Sequence, residues 1–321
     1  MHAFFDTGLP AFDQSIWARG DLVSSAAMIE GKPSTTSAMV AFFRALNTVG
    51  ITRVRDFSDP FAAQMLPPSF ERVLRGVNWL VAHRQDFAQR IWMGSRGLID
   101  TVALRSRAID AAWAEAHERG TRQLVILGAG LDARAYRLER LHDVHVFEVD
   151  HPATQQFKRA RAQSLQSPAK SLRYVPVDFG RDALGPALRD AGLRTDERAF
   201  VIWEGVTMYL PHHATVETLA AIGAVVPSGS TLAMTYVEPE ALQREPLVRK
   251  NLRRWILARS GEPQLGLIPR ALAAQFLDGA GFRVVRDEGR PELSARYSDE
   301  SSDTAWSGVR ERIVIAEKAT G

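Results

Sequence analysis

The stretch Gln123-Leu124-Val125-Ile126-Leu127-Gly128-Ala129-Gly130-Leu131-Asp132-Ala133-Arg134 decides the fold. Its first five residues form a short run of strand length that ends on glycine, the pattern of a buried parallel strand. Gly128 and Gly130 let the chain turn tightly and approach a ligand with no Cβ in the way. Runs of the same kind recur at 144–149, 173–177, 199–203 and 231–237. Between them lie segments of helical periodicity at 154–164, 181–191 and 212–226, the last following Pro211. Strand alternating with helix predicts a Rossmann-like α/β fold with a doubly wound, mostly parallel sheet. Two further strands, 282–287 and 312–317, are expected to add an antiparallel edge.

Outward from this core the texture changes. Residues 1–120 read as a mostly helical cover. A Ser/Thr cluster (Ser34, Thr35, Thr36, Ser37) supplies an N-cap for the stretch Met39–Leu46, and Asp59-Pro60 marks a turn before a short helix. Phe70, Leu74, Val77 and Val81 form one apolar stripe, and Ile109, Ala112, Trp113 and Ala116 another. Residues 239–280 read as a helical lid between the sheet core (121–238) and the terminal strand pair (281–321). No repeat or Pro/Gly/Ser linker divides the 321 residues, so one domain is expected.

Composition removes several chemistries. With no cysteine there is no disulfide scaffold, no Cys-ligated metal and no thiol nucleophile. His142, His145 and His151 show no metal-ligand pattern on one face, and no metal site is expected. Lys and Arg number 40 against 37 Asp and Glu, with the basic residues dispersed among acids, so no nucleic-acid partner is expected. The basic stretch Arg249–Arg254 reads as a solvated helix face. No apolar run approaches the roughly 20 residues that span a bilayer, and no signal-peptide pattern opens the chain. A cytoplasmic protein with no membrane partner is the expectation.

Open α/β sheets bind ligands beyond the carboxyl ends of their strands, and those ends carry acids here. The glycine loop holds Asp132. A full dinucleotide fingerprint would place a third glycine at 133, where alanine stands. Asp150 ends the second strand, 20 residues after Gly130, where a carboxylate accepts from ribose hydroxyls; it could equally cap the next helix. Asp178 and Phe179, after the third strand, suit an exocyclic amine and a purine face, or else an N-cap and a core aromatic. Glu204 closes the fourth, apolar strand, where an unpaired acid is costly. It answers either a ligand or one of the many arginines. Four acids at four strand ends suit a cofactor with a ribose, an adenine and a positive centre. They do not suit a pyrophosphate. S-adenosylmethionine meets that description.

The chain resembles the leucine carboxyl methyltransferase family in its bacterial branch, which includes polyketide O-methyltransferases. The resemblance rests on Arg105-Ser106-Arg107-Ala108-Ile109-Asp110, on 123–138 (QLVILGAGLDARAYRL), on Phe147-Glu148-Val149-Asp150 and on 203–210 (WEGVTMYL), in this order. It implies a class I methyltransferase sheet whose last strand is antiparallel, covered by N-terminal and inserted helices. It implies S-adenosylmethionine as cofactor, S-adenosylhomocysteine as product, and a small-molecule acceptor. By motif, Arg107 would hold the cofactor's carboxylate and Gly128 and Gly130 would pass beneath it. Asp150 would bind the ribose, Asp178 and Phe179 the adenine end, and Glu204 would face the amino group or sulfonium. Residues 34–37 would lie near the active site. The family usually has Asp-Thr-Arg where Asp132-Ala133-Arg134 stands, Thr at Ser106 and Leu at Phe179.

Methyl transfer from a sulfonium is an in-line displacement, so the protein chiefly aligns the reactants and excludes water. A carboxylate acceptor needs no general base, whereas a hydroxyl would need one more. His212, of the His212-His213 pair, is a candidate base, and Tyr209 a candidate wall of the acceptor pocket. The sequence leaves the acceptor and the oligomeric state open. Two other functions suit parts of the pattern: a nicotinamide-dependent oxidoreductase on the same fold, and a non-catalytic protein that binds S-adenosylmethionine.

Overall fold

A computed structural model of the chain describes residues 34–49, 52–84, 96–179, 181–239, 266–298 and 311–320. The Arg249–Arg254 stretch and most of the expected lid lie outside the described residues. The cover comprises α1 (Thr35–Thr48), α2 (Ala62–Met65), α3 (Pro68–His83) and α4 (Arg96–Glu118). The sheet region follows as β1 (Gln123–Leu127), α5 (Arg134–Arg137), β2 (His145–Asp150), α6 (Pro152–Arg161), β3 (Ser171–Pro176) and α7 (Leu184–Asp190). It continues with β4 (Ala199–Trp203), a 3-10 turn (Thr207–Tyr209), α8 (His212–Val225) and β5 (Thr231–Val237). The chain closes with α9 (Arg270–Gly279), β6 (Phe282–Gly289), α10 (Arg290–Tyr297) and β7 (Glu311–Lys318).

The seven strands form one sheet in the order β3-β2-β1-β4-β5-β7-β6. Strands β1 to β5 are mutually parallel, while β7 runs antiparallel to both β5 and β6. The terminal pair closes that end of the sheet through antiparallel pairing, as expected: β7 inserts beside β5, and β6 becomes the edge. Pairing the last strand through seven registered positions from Thr231↔Glu317 to Val237↔Glu311 buries it in the sheet.

Period-two alternation divides the core. Leu124 and Ile126 of β1 join Val146, Phe200, Ile202 and Ile313 against the N-terminal helices. Val125 and Leu127 join Phe147, Val149, Val201 and Trp203 against α7, α8 and α9 on the other face. Both faces of β1 are thus covered, which is why its sequence reads as a continuous run with no polar alternation. The cover is held by the same logic. Ser34 caps α1, its hydroxyl accepting from the Ser37 N–H at 3.2 Å. Phe42 of α1 meets Phe70 of α3 edge to face at 5.7 Å. No helix among the described residues is long and apolar enough to cross a membrane.

One element breaks the apolar rule. Glu148, inside β2, and Lys158 of α6 are both about 1% exposed and lie 2.7 Å apart. Burial pushes the Glu148 carboxyl up, against the pull of Lys158. The neighbouring Gln155 amide donates to the Glu148 and Val175 carbonyls, both at 2.9 Å, and so fixes α6 over β2 and β3. Replacing Lys158→Met leaves a buried acid unpaired and is expected to cost about 3–5 kcal/mol in urea denaturation. The pair Lys158→Met with Glu148→Gln should recover most of that loss; a double variant no better than the single one would contradict the pairing.

Candidate active site

The direction of winding reverses between β1 and β4, and the loops leaving these strands diverge there to form the crevice of an open α/β sheet. At that point Gly128 and Gly130 hold φ of +60° and +46°. A Cβ built on Gly128 would stand 2.4 Å from Cγ2 of Val206, and one on Gly130 would stand 2.9 Å from Cβ of Ser37. Conformation and close approach both demand glycine at these positions. Ala133 instead has φ −98°, an ordinary value, so the missing third glycine costs the loop nothing.

Asp150 ties this loop to the next strand. Its carboxylate accepts from the Gly130 N–H and, at 2.6 Å, from the His151 N–H. Burial pushes the Asp150 carboxyl up, and these two backbone donors oppose it. The helix cap itself is His151, whose Nδ1 accepts from the Ala153 N–H at 3.2 Å. Asp150 is thus not the cap of α6 but a brace of the glycine loop.

The largest feature is electrostatic. Glu204 accepts from Arg44 through both oxygens (2.8 and 2.9 Å), from Arg105 at 2.7 Å and from Arg134 at 2.5 Å. Arg134, fully buried, also bonds Asp132 and, at 2.7 Å, Asp110. Arg44 lies 3.2 Å from Asp132, and Arg105 donates to Glu311 of β7 at 2.7 Å. Burial pushes the Glu204 carboxyl up, but Arg134, Arg44 and Arg105 outweigh it and hold the group well below the usual carboxylate range. Asp132 is likewise lowered, by Arg134 and Arg44 against burial. The cluster joins α1, α4, the glycine loop, the end of β4 and the start of β7.

The remaining sequence candidates fall in distinct places. Arg107 turns toward α10: its guanidinium lies 5.0 Å from the Tyr297 ring centre, and its Nε is buried without a hydrogen-bond partner among the described residues. Of the two arginines in that motif, Arg105 is the one beside the end of β4, its Nη2 3.4 Å from a Cβ built on Gly205. Asp178 and Phe179 follow β3; the Asp178 N–H donates to Asp182 at 2.8 Å, and Phe179 packs against the core of α7 to α9. Tyr209 lies half-buried in the 3-10 turn beside Met208 and Val237. His212 donates its Nε2–H to the Leu267 carbonyl at 3.0 Å and packs edge to face on Phe276. Ser37 covers Gly130, so the Ser/Thr cluster lies against the glycine loop.

Sequence reasoning missed Arg44, Arg105, Arg134 and the Glu148–Lys158 pair. A signal existed for two of them. Arg44 is a lone cation in the apolar stretch Met39–Leu46, and Glu148 a lone acid in an apolar strand, and both are costly unless paired. No group of three or more potential metal ligands gathers among the described residues.

The sheet order with an inserted antiparallel last strand, and a glycine loop braced by an acid at the winding reversal, define a class I S-adenosylmethionine-dependent methyltransferase. The chain belongs to the leucine carboxyl methyltransferase family, whose model matches residues 37–223. A Mycobacterium marinum protein named as an S-adenosyl-L-methionine-dependent methyltransferase is 36% identical over 313 residues, 94% of this chain and 96% of that one. A Mycobacterium avium protein of the same name is 34% identical, covering 85% and 87%. Two solved structures share the fold at 15% identity. A DUF574 family protein from Streptomyces avermitilis has TM-score 0.54 and covers 90% of this chain and 98% of its own. A structure from Thermobifida fusca described as a methyltransferase has TM-score 0.52, with 90% and 96% covered. The family sets aside the nicotinamide-dependent alternative.

Gly128→Ala is expected to destabilise the protein through two separable terms, the clash with Val206 and the positive φ. In a Val206→Ala background only the second should remain, about 1–2 kcal/mol in urea denaturation. Equal losses in both backgrounds would contradict the packing of Val206 into the Gly128 turn.

Proposed function

We propose that the protein is an O-methyltransferase that moves the methyl group of S-adenosylmethionine to an oxygen of a small molecule, with a carboxylate favoured over a hydroxyl. A polyketide-type or acyl acceptor of secondary metabolism suits the bacterial branch that the sequence resembles. The observation that carries the preference for a carboxylate is the state of the crevice acids: against burial, Arg134, Arg44 and Arg105 hold Glu204, and Arg134 and Arg44 hold Asp132, below the usual carboxylate range, so neither is a base fit to take a hydroxyl proton. His212 sits as a clamp between α8 and the segment before α9, its Nε2–H on the Leu267 carbonyl and its ring on Phe276. An acceptor that arrives already anionic needs no proton removed.

The crevice residues fit the cofactor's chemistry. Gly128, where a Cβ would strike Val206, leaves backbone rather than side chain at the loop surface. Asp150 would accept from the ribose hydroxyls, while Asp178 and Phe179 would bound the adenine end. Arg105, rather than Arg107, would hold the amino-acid carboxylate, because its guanidinium stands at the end of β4 beside Gly205. Glu204, with both oxygens engaged by its arginines, would fix the walls around the cofactor's amino-acid part rather than contact it, and Asp132 would do the same for the glycine loop. When bound, the cofactor supplies a methyl group already activated by the sulfonium charge. The chain's own part is to align the acceptor oxygen with it and to keep water out.

Calorimetric titration with S-adenosylhomocysteine, with NAD⁺ in a parallel cell, tests the reading. Micromolar binding of the first ligand alone is expected. Arg105→Lys should weaken it at least about tenfold, while Arg107→Ala should stay within about threefold. The reverse pattern would return the carboxylate to Arg107. Turnover against carboxylate and hydroxyl acceptors then separates an enzyme from a non-catalytic binder.

The pH dependence follows from Asp150. Burial raises its folded pKa, so its ionised form, the one able to accept from ribose, is lost as pH falls from a point above the ordinary aspartate value. Affinity for S-adenosylhomocysteine should be flat near neutrality and then fall about tenfold per pH unit below that point. Asp150→Asn should bind more weakly at neutral pH and lose this acid limb; an unchanged limb would remove Asp150 from the site.

A further inference from the structure

The cover carries a surface that the crevice does not use. Helix α3 buries Leu74 and Val77 and turns the opposite side to solvent. At 100° per residue, Trp79 lies at the centre of that outward side, with Arg72 seven residues before it and Arg75 four before it. Trp79 is 61% exposed and Val73 53%. Arg72 and Arg75 are exposed along the same arc, and Arg84 is exposed at the helix end. Beside the indole, a Cβ built on Gly76 would meet nothing within 4 Å, so this part of the helix face is open. The indole stacks on the His83 ring at 4.9 Å, which holds it upright along the helix.

The charge on this side is of one sign. The single acid of α3, Glu71, sits off the outward arc and is bound to Arg161 at 3.2 Å. A tryptophan amid arginines, with no carboxylate between them, matches the two requirements of an anionic bilayer surface. The indole partitions to the headgroup level, and the guanidinia meet lipid phosphates while their stems lie along apolar surface. The whole chain carries formal charge +3, so its long-range field has the same sign as the patch.

We propose that the outward face of α3, centred on Trp79 with Arg72 and Arg75, docks the protein onto an anionic phospholipid surface. The attachment is peripheral, through one side of a helix whose other side is committed to the core, and it departs from the expectation of no membrane partner, which rested on the lack of a spanning apolar run. It is independent of the cofactor site and would hold the N-terminal cover against the lipid headgroups.

The test is cosedimentation of the full chain with phosphatidylglycerol vesicles and with phosphatidylcholine vesicles, at low and high salt. Binding to the anionic vesicles alone is expected, falling as salt rises. Trp79→Ala should reduce it about tenfold, and Arg72→Glu with Arg75→Glu at least as much. Both variants change exposed side chains and should keep the parent's thermal midpoint and S-adenosylhomocysteine affinity, so a failure here is distinct from a failure of the methyltransferase reading. Absence of binding to anionic vesicles overturns the proposal. So does binding that survives both variants, which would assign it to the general basic charge, and so does equal binding to phosphatidylcholine. A concentration-dependent dimer in sedimentation velocity that Trp79→Ala abolishes would give the face to a second copy and overturn it as well.

Discussion

Arg134 is a guanidinium with no exposure to water, held among Asp132, Asp110 and Glu204. Taking such a group out of water costs several kcal/mol, and only good geometry with several partners offsets the cost. Asp132 is two residues away, but the other partners come from distant parts of the chain. Asp110 belongs to α4, Asp132 to the glycine loop and Glu204 to the end of β4, and Arg44 and Arg105 bring in α1 and a second point on α4. Removing any one member strands a charge in a low-dielectric interior. The helical cover and the sheet are therefore interdependent, because each supplies charges that the other must neutralise.

This interdependence shapes the crevice. A glycine loop with two positive φ values is adaptable by itself, yet here it is braced on three sides: Asp150 from β2, Val206 after β4, and Ser37 from α1. The same helix that covers Gly130 through Ser37 anchors itself two turns later through Arg44. Fixing α1 at both points holds the cover over the glycine loop.

Glu204 illustrates why strand-end acids are hard to interpret in isolation. An acid after an apolar strand must be paired, and a ligand and an arginine are equally good partners chemically. The structure gives Glu204 three arginines. That occupation fixes the carboxylate's direction, since a group bonded on both oxygens cannot rotate freely. The four bonds fill the carboxylate's acceptor positions, so its charge is met inside the protein and the group clamps the cover to the sheet.

Much of the fold was legible in the sequence, because strand alternation and helical periodicity are local consequences of which faces must leave water. All seven strands lie close to where short apolar runs predicted them, and Gly128, Gly130 and Asp150 stand where their spacing suggested. The helix α10 escaped notice, since Arg290–Tyr297 carries too little apolar periodicity to announce itself. The insertion of β7 between β5 and β6 also escaped, because strand order depends on long-range pairing that no local pattern encodes. Tertiary structure alone decided which arginines matter. The chain has many, and a guanidinium is chemically the same wherever it stands. Only the packing of α1 and α4 on the sheet selects Arg44, Arg105 and Arg134 for burial, turns Arg107 toward Tyr297, and leaves Arg72 and Arg75 facing solvent.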